Sequence, residues 1–198
     1  MKSEAIVELG KPLQTIESET PEPKGKEVLL KITHSGVCHS DVHIHDGYFD
    51  LGGGNKLPVG QMLNLPHTMG HEIEGEVAAI GPDVTDVEIG ANVVAYPWIG
   101  CGECATCKAG DEHYCNAPRQ LGIQLPGGFA DYCIVPDSKY VLDYTGIRPG
   151  LAATYMCSGL TAFGALKKFV NITDEDHILI MGLGGVGMMG LQFARALF

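Results

Sequence analysis

The 198-residue sequence predicts a mixed fold: a mainly antiparallel β domain over residues 1–150, then over residues 151–198 the start of an α/β unit that is incomplete at its end. Three observations carry this. Short β-branched runs bounded by Gly, Pro and Asp recur through the first 150 residues, the pattern of a compact antiparallel β region. From Leu151 onward turn residues thin out and apolar residues fall at helical intervals. The chain then closes on an apolar run, a glycine turn and an amphipathic stretch.

Each element follows from its local chemistry. "EAIVEL" (from Glu4), "EVLLKITHSG" (from Glu27), "HEIEGEVAAIG" (from His71), "ANVVAYP" (from Ala91), "FADYCIVP" (from Phe129) and "KYVLD" (from Lys139) read as strands. Cys133 alternates within "FADYCIVP" and reads as core. "LGGGN", Leu51 to Asn55, reads as a flexible loop tip. "LAATYMCSGLTAFGALKKFV", Leu151 to Val170, reads as helix interrupted near Gly159. "HILIM" reads as a buried strand and "GVGMMGLQFARALF" as the helix after it.

Composition narrows the function. With 45% hydrophobic and 19% charged residues the chain reads as soluble and globular. It has no apolar run of the ~18 residues that would suggest a bilayer span, and the start "MKSEAIVELGKP" lacks the apolar centre of a secretory signal, so a cytoplasmic location without membrane contact is expected. A formal charge of −11 argues against nucleic acid as partner, because phosphates need Lys and Arg to neutralise them. In a reducing compartment, clustered cysteines point to metal ligands rather than disulfides.

Four of the seven cysteines, Cys101, Cys104, Cys107 and Cys115, fall within "CGECATCKAGDEHYC" as C-x2-C-x2-C-x7-C. Four thiolates suit tetrahedral zinc and leave no position open for chemistry, which makes this a structural site. An iron–sulfur loop opens in the same way but continues with x3-C-P; here Asn116 follows a fourth cysteine seven residues on, which favours zinc. Gly182, Gly184 and Gly187, with Gly185 and Val186 between them, give G-x-G-x-x-G between a strand and a helix, the setting in which a dinucleotide pyrophosphate meets a helix N-terminus. The acidic residue that would hold the adenosine ribose belongs about 20 residues further on, past Phe198, so NAD and NADP stay undivided.

"GVCHSDVHIHDG" adds Cys38, His39, Ser40, Asp41, His43 and His45, and "MGHEIEG" adds His71 and Glu72. With "GVCHSD", "GHEIEGEVAAIG", the cysteine loop and "GLGGVG" in this order, nearly the whole chain resembles the zinc-dependent medium-chain alcohol dehydrogenases. The resemblance implies a GroES-like catalytic domain (1–150) bearing two zinc ions, followed by the beginning of a Rossmann cofactor domain (151–198). It makes Cys38, His71 and Cys157 the catalytic zinc ligands, a Cys2His set known to catalytic zinc. Glu72 sits behind the metal as a transient ligand, Asp41 orients the ligand histidine, and Ser40 touches the alcohol oxygen. His43 ends the proton relay, and His39 meets the cofactor pyrophosphate. His34, His67, His113 and His177 read as packing or surface.

The implied reaction interconverts an alcohol and an aldehyde or ketone, with hydride passing to NAD or NADP and a proton leaving through Ser40 and the cofactor ribose to His43. Cys157, where polyol-acting relatives carry Glu, tilts the substrate toward simple alcohols. Full-length family members are expected to be homo-oligomers. Three departures stand out: Glu74 lies where the family has a small or apolar residue, residues 47–65 form a longer segment at the substrate mouth, and family chains run well past Phe198. The 198 residues alone are therefore expected to be inactive as a dehydrogenase. The alternative readings are a non-catalytic zinc-binding module, an inactive fragment of such an enzyme, and an iron–sulfur carrier.

Overall fold

The computed structural model describes residues 1–169, 171–173 and 176–198. Ten strands are β1 (Lys2–Ile6), β2 (Gln14–Glu17), β3 (Val28–Gly36), β4 (Tyr48–Gly52), β5 (Asn55–Pro58), β6 (His67–Thr68), β7 (Glu72–Ile80), β8 (Asn92–Ala95), β9 (Tyr132–Val135) and β10 (Val141–Asp143). Five helices are α1 (His39–Asp46), α2 (Ala105–Lys108), α3 (Ala152–Thr154), α4 (Leu160–Leu166) and α5 (Gly185–Leu197). A five-stranded antiparallel sheet, ordered β10-β8-β7-β3-β9, carries the main core of Val28, Leu30, Ile73, Val77, Leu121 and Val135. A three-stranded sheet, β2-β1-β6, contributes Ile6 to a smaller core with Ile44 of α1 and Met69. Burying these side chains stabilises the fold by roughly 1.5–3 kcal/mol for each large one.

The strands expected from β-branched runs are present, most of them shorter at their ends and β1 shifted to begin at Lys2, with Cys133 buried in β9. Helix α1 is the element whose pattern hid it. Only Asp41 and Ile44 of its residues are buried, so it has no apolar stripe to read. It forms because Asp41 accepts the Cys38 N–H at 2.8 Å at its start, and Gly47, at φ +81°, closes its end. The "LGGGN" tip also proves structured on both sides: Gly53 and Gly54, at φ +61° and +83°, turn the β4–β5 hairpin.

The helix expected from Leu151 is broken where glycine suggested, but the break is a π-helical turn over Tyr155–Gly159 between α3 and α4. Helical structure ends at Leu166, and the far end of the expected span, Val170, lies outside the described residues. "HILIM" forms no strand, a correction to the sequence reading. A parallel strand exists by hydrogen bonding to neighbours, and none of the described residues pairs with 177–181; Leu179 and Met181 are 83% and 88% exposed. The helix after it, α5, forms as read. No helix among the described residues is long and apolar enough to cross a membrane.

Candidate metal centres and cofactor cleft

Three separate elements converge on one point. Cys38 caps α1 just after β3 ends, His71 immediately precedes β7, and Cys157 sits in the π-helical turn, where the backbone is widened. Their donor atoms lie within 4.8 Å of one another, with the two sulfurs 3.8 Å apart. Asp41 ties the first two together: Oδ2 accepts the Cys38 N–H at 2.8 Å, and Oδ1 accepts the His71 Nδ1–H at 3.2 Å. With Nδ1 committed as donor, Nε2 is left as an acceptor. That Nε2 is fully buried, has no hydrogen-bond partner among the described residues, and faces two thiols. An unpaired buried nitrogen beside two sulfurs is costly unless a cation takes all three, so the donor set fits zinc.

Left to themselves, these groups share protons unequally. The Cys157 thiol, in hydrogen-bond contact with it, and then the neighbouring His71 imidazole hold the Cys38 thiol down to about 3. Burial lowers His71, but the Asp41 hydrogen bond and the negative charges of Asp41 and Cys38 outweigh it and raise the imidazole to about 9. The hydrogen bond to Cys38 pushes the Cys157 thiol up, and burial adds to this. A raised histidine pKa stabilises the fold below the ordinary imidazole range, and that contribution fades as pH rises through about 9. Metal capture must remove the same proton. Zinc addition near pH 7 is therefore expected to release protons, with affinity climbing toward pH 9; an indicator dye checks this as excess release over a His71→Ala variant. Equal release from both proteins would contradict it.

Glu72, the first residue of β7, lies behind this cluster and is buried, which raises its carboxyl pKa. Ser158 donates to its Oε1 at 3.3 Å. Gly36 makes room for it, because a Cβ there would fall 2.0 Å from Glu72 Oε2.

The sulfurs of Cys101, Cys104, Cys107 and Cys115 also lie within 4.8 Å of one another, on a loop that contains α2. Backbone N–H groups point at them, Cys104 N to Cys101 Sγ and Cys107 N to Cys104 Sγ at 3.4 Å each, and Ala117 N to Cys115 Sγ at 3.3 Å. Such donors stabilise thiolate; those of Glu103 and Cys104 hold Cys101 down to about 6, whereas burial pushes Cys107 up to about 12. The lobe is moored to the segment leading into β10 by Glu112, which accepts from Lys139 Nζ at 2.6 Å and from the Tyr140 hydroxyl; Glu112 also accepts from Gly100 N at 3.2 Å.

A cleft of about 400 Å³ opens beside the three-donor cluster, lined by Cys38, His39, Glu72 and Ser158 on one side and by Gly185 and Val186 of α5 on the other. The three motif glycines serve different needs. Gly182 adopts φ +85°, Gly184 faces open space, and a Cβ on Gly187 would meet Gly182 O at 2.0 Å. Ser40 follows two residues after Cys38 in the first turn of α1 and contributes to holding its thiol's pKa down. His43 lies one turn further along α1, half-buried, with its ring 4.5 Å from that of His39 and 4.7 Å from Phe49.

Sequence reasoning passed over two neighbours of the cluster. Trp98 packs its ring 5.8 Å from the His71 ring and donates Nε1–H to the Met156 carbonyl at 2.8 Å, touching the supports of two donors at once. Ser158 grips Glu72. Trp98 is the chain's single tryptophan and stands three residues before Cys101, the only signal the sequence offers for it.

The antiparallel β domain thus gathers a Cys2His set and a separate four-cysteine lobe, each able to hold a metal ion, with a glycine turn beside the first set. Residues 24–145 match the sequence profile of the alcohol dehydrogenase GroES-like domain, and the chain belongs to that family. It is 40% identical over 198 residues to the NAD-dependent alcohol dehydrogenase of Saccharolobus solfataricus, covering 99% of this chain and 56% of that protein. It is 33% identical over 199 residues to an alcohol dehydrogenase of Geobacillus stearothermophilus, covering 100% and 56%. The cobalt- and zinc-bound thermostable alcohol dehydrogenase of Pyrobaculum aerophilum superposes with a TM-score of 0.81 at 30% identity, covering 100% of this chain and 56% of that one. The chain thus spans little more than half the length of these relatives.

Proposed function

We propose that this chain is the N-terminal portion of a zinc-dependent, NAD-linked alcohol dehydrogenase, with residues 1–150 as catalytic domain and 151–198 as the beginning of the Rossmann cofactor domain. The observation that carries the reading is the orphaned His71 Nε2 facing Cys38 and Cys157 at the wall of a cleft shared with the glycine turn. Cys38, His71 and Cys157 would hold the catalytic zinc, and Cys101, Cys104, Cys107 and Cys115 the structural one. Bound zinc supplies Lewis acidity toward an alcohol oxygen, and the nicotinamide supplies the hydride acceptor.

The chain's own residues do the rest. Asp41 fixes the His71 tautomer and its aim. Ser40, beside Cys38, holds the departing proton, and His43 receives it one helical turn away. His39, exposed at the cleft, and the backbone of Gly182, Gly184, Gly185, Val186 and Gly187 receive the cofactor's phosphates. The "NAD-dependent" relatives favour NAD over NADP. Cys157 in place of a carboxylate favours simple alcohols over polyols. All seven cysteines are free thiols, which suits the cytoplasm. A homo-oligomer without nucleic-acid or membrane partners completes the proposal.

The test is made on the chain extended to the length of its relatives: alcohol-dependent NADH formation with two zinc ions per chain supports the reading, and zinc without turnover on any alcohol or aldehyde overturns it. In the same enzyme, His43→Ala is expected to slow alcohol oxidation by roughly 10²-fold near and below neutral pH, with the deficit shrinking at high pH as hydroxide takes over proton removal. A pH–rate profile displaced equally at every pH would assign His43 a packing role against Phe49 instead.

A further inference from the structure

Glu74 is a fully buried acid outside the proposed chemistry. Its carboxylate is heavily used. Oε1 and Oε2 each accept the Gly150 N–H at 3.0 Å, Oε1 also accepts the Tyr144 hydroxyl at 3.2 Å, and the His34 Nδ1 lies 3.1 Å from it. These partners come from β3 and from the turn before α3, so one buried group gathers two stretches of chain that are distant in sequence. Gly150 adopts φ +81°, and a Cβ there would come within 3.3 Å of the His34 ring, so the ring closes over the capped amide.

The position of Glu74 along its strand gives this meaning. Glu72 and Glu74 are two residues apart on β7 and point to the same face. Glu72 holds Ser158, and Glu74 holds Gly150. The segment between those two anchors contains the π-helical turn with Cys157, while His71 stands one residue before the strand that carries both carboxylates. Ala152 and Ala153, just past Gly150, are buried where α3 packs on β7 and β3. The strand delivering one donor thus grips both ends of the segment delivering another.

We infer that Glu74 is a positioning residue that fixes the Cys157 segment to the His71 strand by clamping the Gly150 amide, and thereby sets the geometry of the three-donor site. The inference rests on the metal reading given above. It identifies the buried acid as the outer half of a two-carboxylate grip whose inner half is Glu72. The four-cysteine lobe, held by Glu112 rather than by β7, is independent of it.

The experiment uses cadmium as probe, because its NMR resonance separates a four-sulfur site from a two-sulfur, one-nitrogen site, with a chelator competing for each. In Glu74→Leu, which fills the volume but offers no acceptor, affinity at the mixed site is expected to fall by about 10-fold or more, within the range that loss of an outer partner produces, with the four-sulfur resonance and affinity unchanged. Glu74→Gln keeps one acceptor for Gly150 and should recover part of the loss. Wild-type affinity and chemical shift at the mixed site in a folded Leu variant overturn the clamp. Should that variant not fold, Gln decides: a selective several-fold loss at the mixed site supports the clamp, and parity with the wild type overturns it. A wild-type protein showing the four-sulfur resonance alone would overturn the metal reading itself and the clamp with it.

Discussion

Replacing Cys157 with serine is expected to lower bound zinc from two ions per chain to one and, in the extended enzyme, to cost alcohol oxidation more than the roughly 10–100-fold that loss of a mere outer partner costs. A serine hydroxyl in a half-enclosed site stays protonated and donates weakly, whereas the thiolate is a soft, strong zinc ligand. Cys38 and His71 would remain, held by Asp41, but two donors do not make a closed catalytic site. The fold should persist. Cys157 is buried but stands outside both apolar core clusters, and Trp98 anchors its turn through the Met156 backbone carbonyl, which the substitution leaves in place. Elemental analysis, far-UV circular dichroism and NADH formation together check it. Two retained zinc ions with normal turnover would remove Cys157 from the site.

What the sequence showed and what it concealed divide along physical lines. Strand β9 was legible because its burial alternates, and β3 and β7 because β-branched and apolar runs bounded by turn residues mark strands that feed the main core. The four-cysteine lobe was legible from spacing alone, since its donors lie in one short loop. The other donor set was not visible from spacing, because Cys38 and Cys157 are 119 residues apart and only the resemblance to a family joined them. Helix α1 escaped because caps, not an apolar stripe, hold it. The strand expected at "HILIM" failed for the opposite reason: apolar content is a local property, but a strand needs a partner, and the described residues offer none. Glu74 read only as a departure from the family pattern. Its partners, Tyr144 and Gly150, are 70 and 76 residues away, and no local pattern could announce them.

Cys104→Ser in the four-cysteine lobe should produce the largest loss of local structure of any single change. Between Cys101 and Cys115 only Cys107 and Cys115 are buried, and both are themselves donors, so the lobe has no apolar core. Its order must come from elsewhere. Helix α2 spans only Ala105–Lys108, far too short to be stable by itself. The Glu112 contacts with Lys139, Tyr140 and Gly100 tether one point of the loop but leave the remainder unrestrained. Metal binding in small thiolate sites contributes on the order of 10–16 kcal/mol of folding free energy, so an ion held by the four sulfurs, as proposed, would dominate every other term in this loop. Losing one of four thiolates also leaves backbone N–H groups, such as that of Cys107, aimed at a poorer acceptor. Limited proteolysis should then cut within residues 101–115 while the β sheet stays protected, because the strands of the main core draw nothing from the lobe's donors. Mass spectrometry of the fragments locates the cuts, and metal analysis should show one ion lost with the three-donor ion retained. A lobe that resists protease with both ions bound would mean that Glu112 and the loop backbone, rather than the four sulfurs, hold it together.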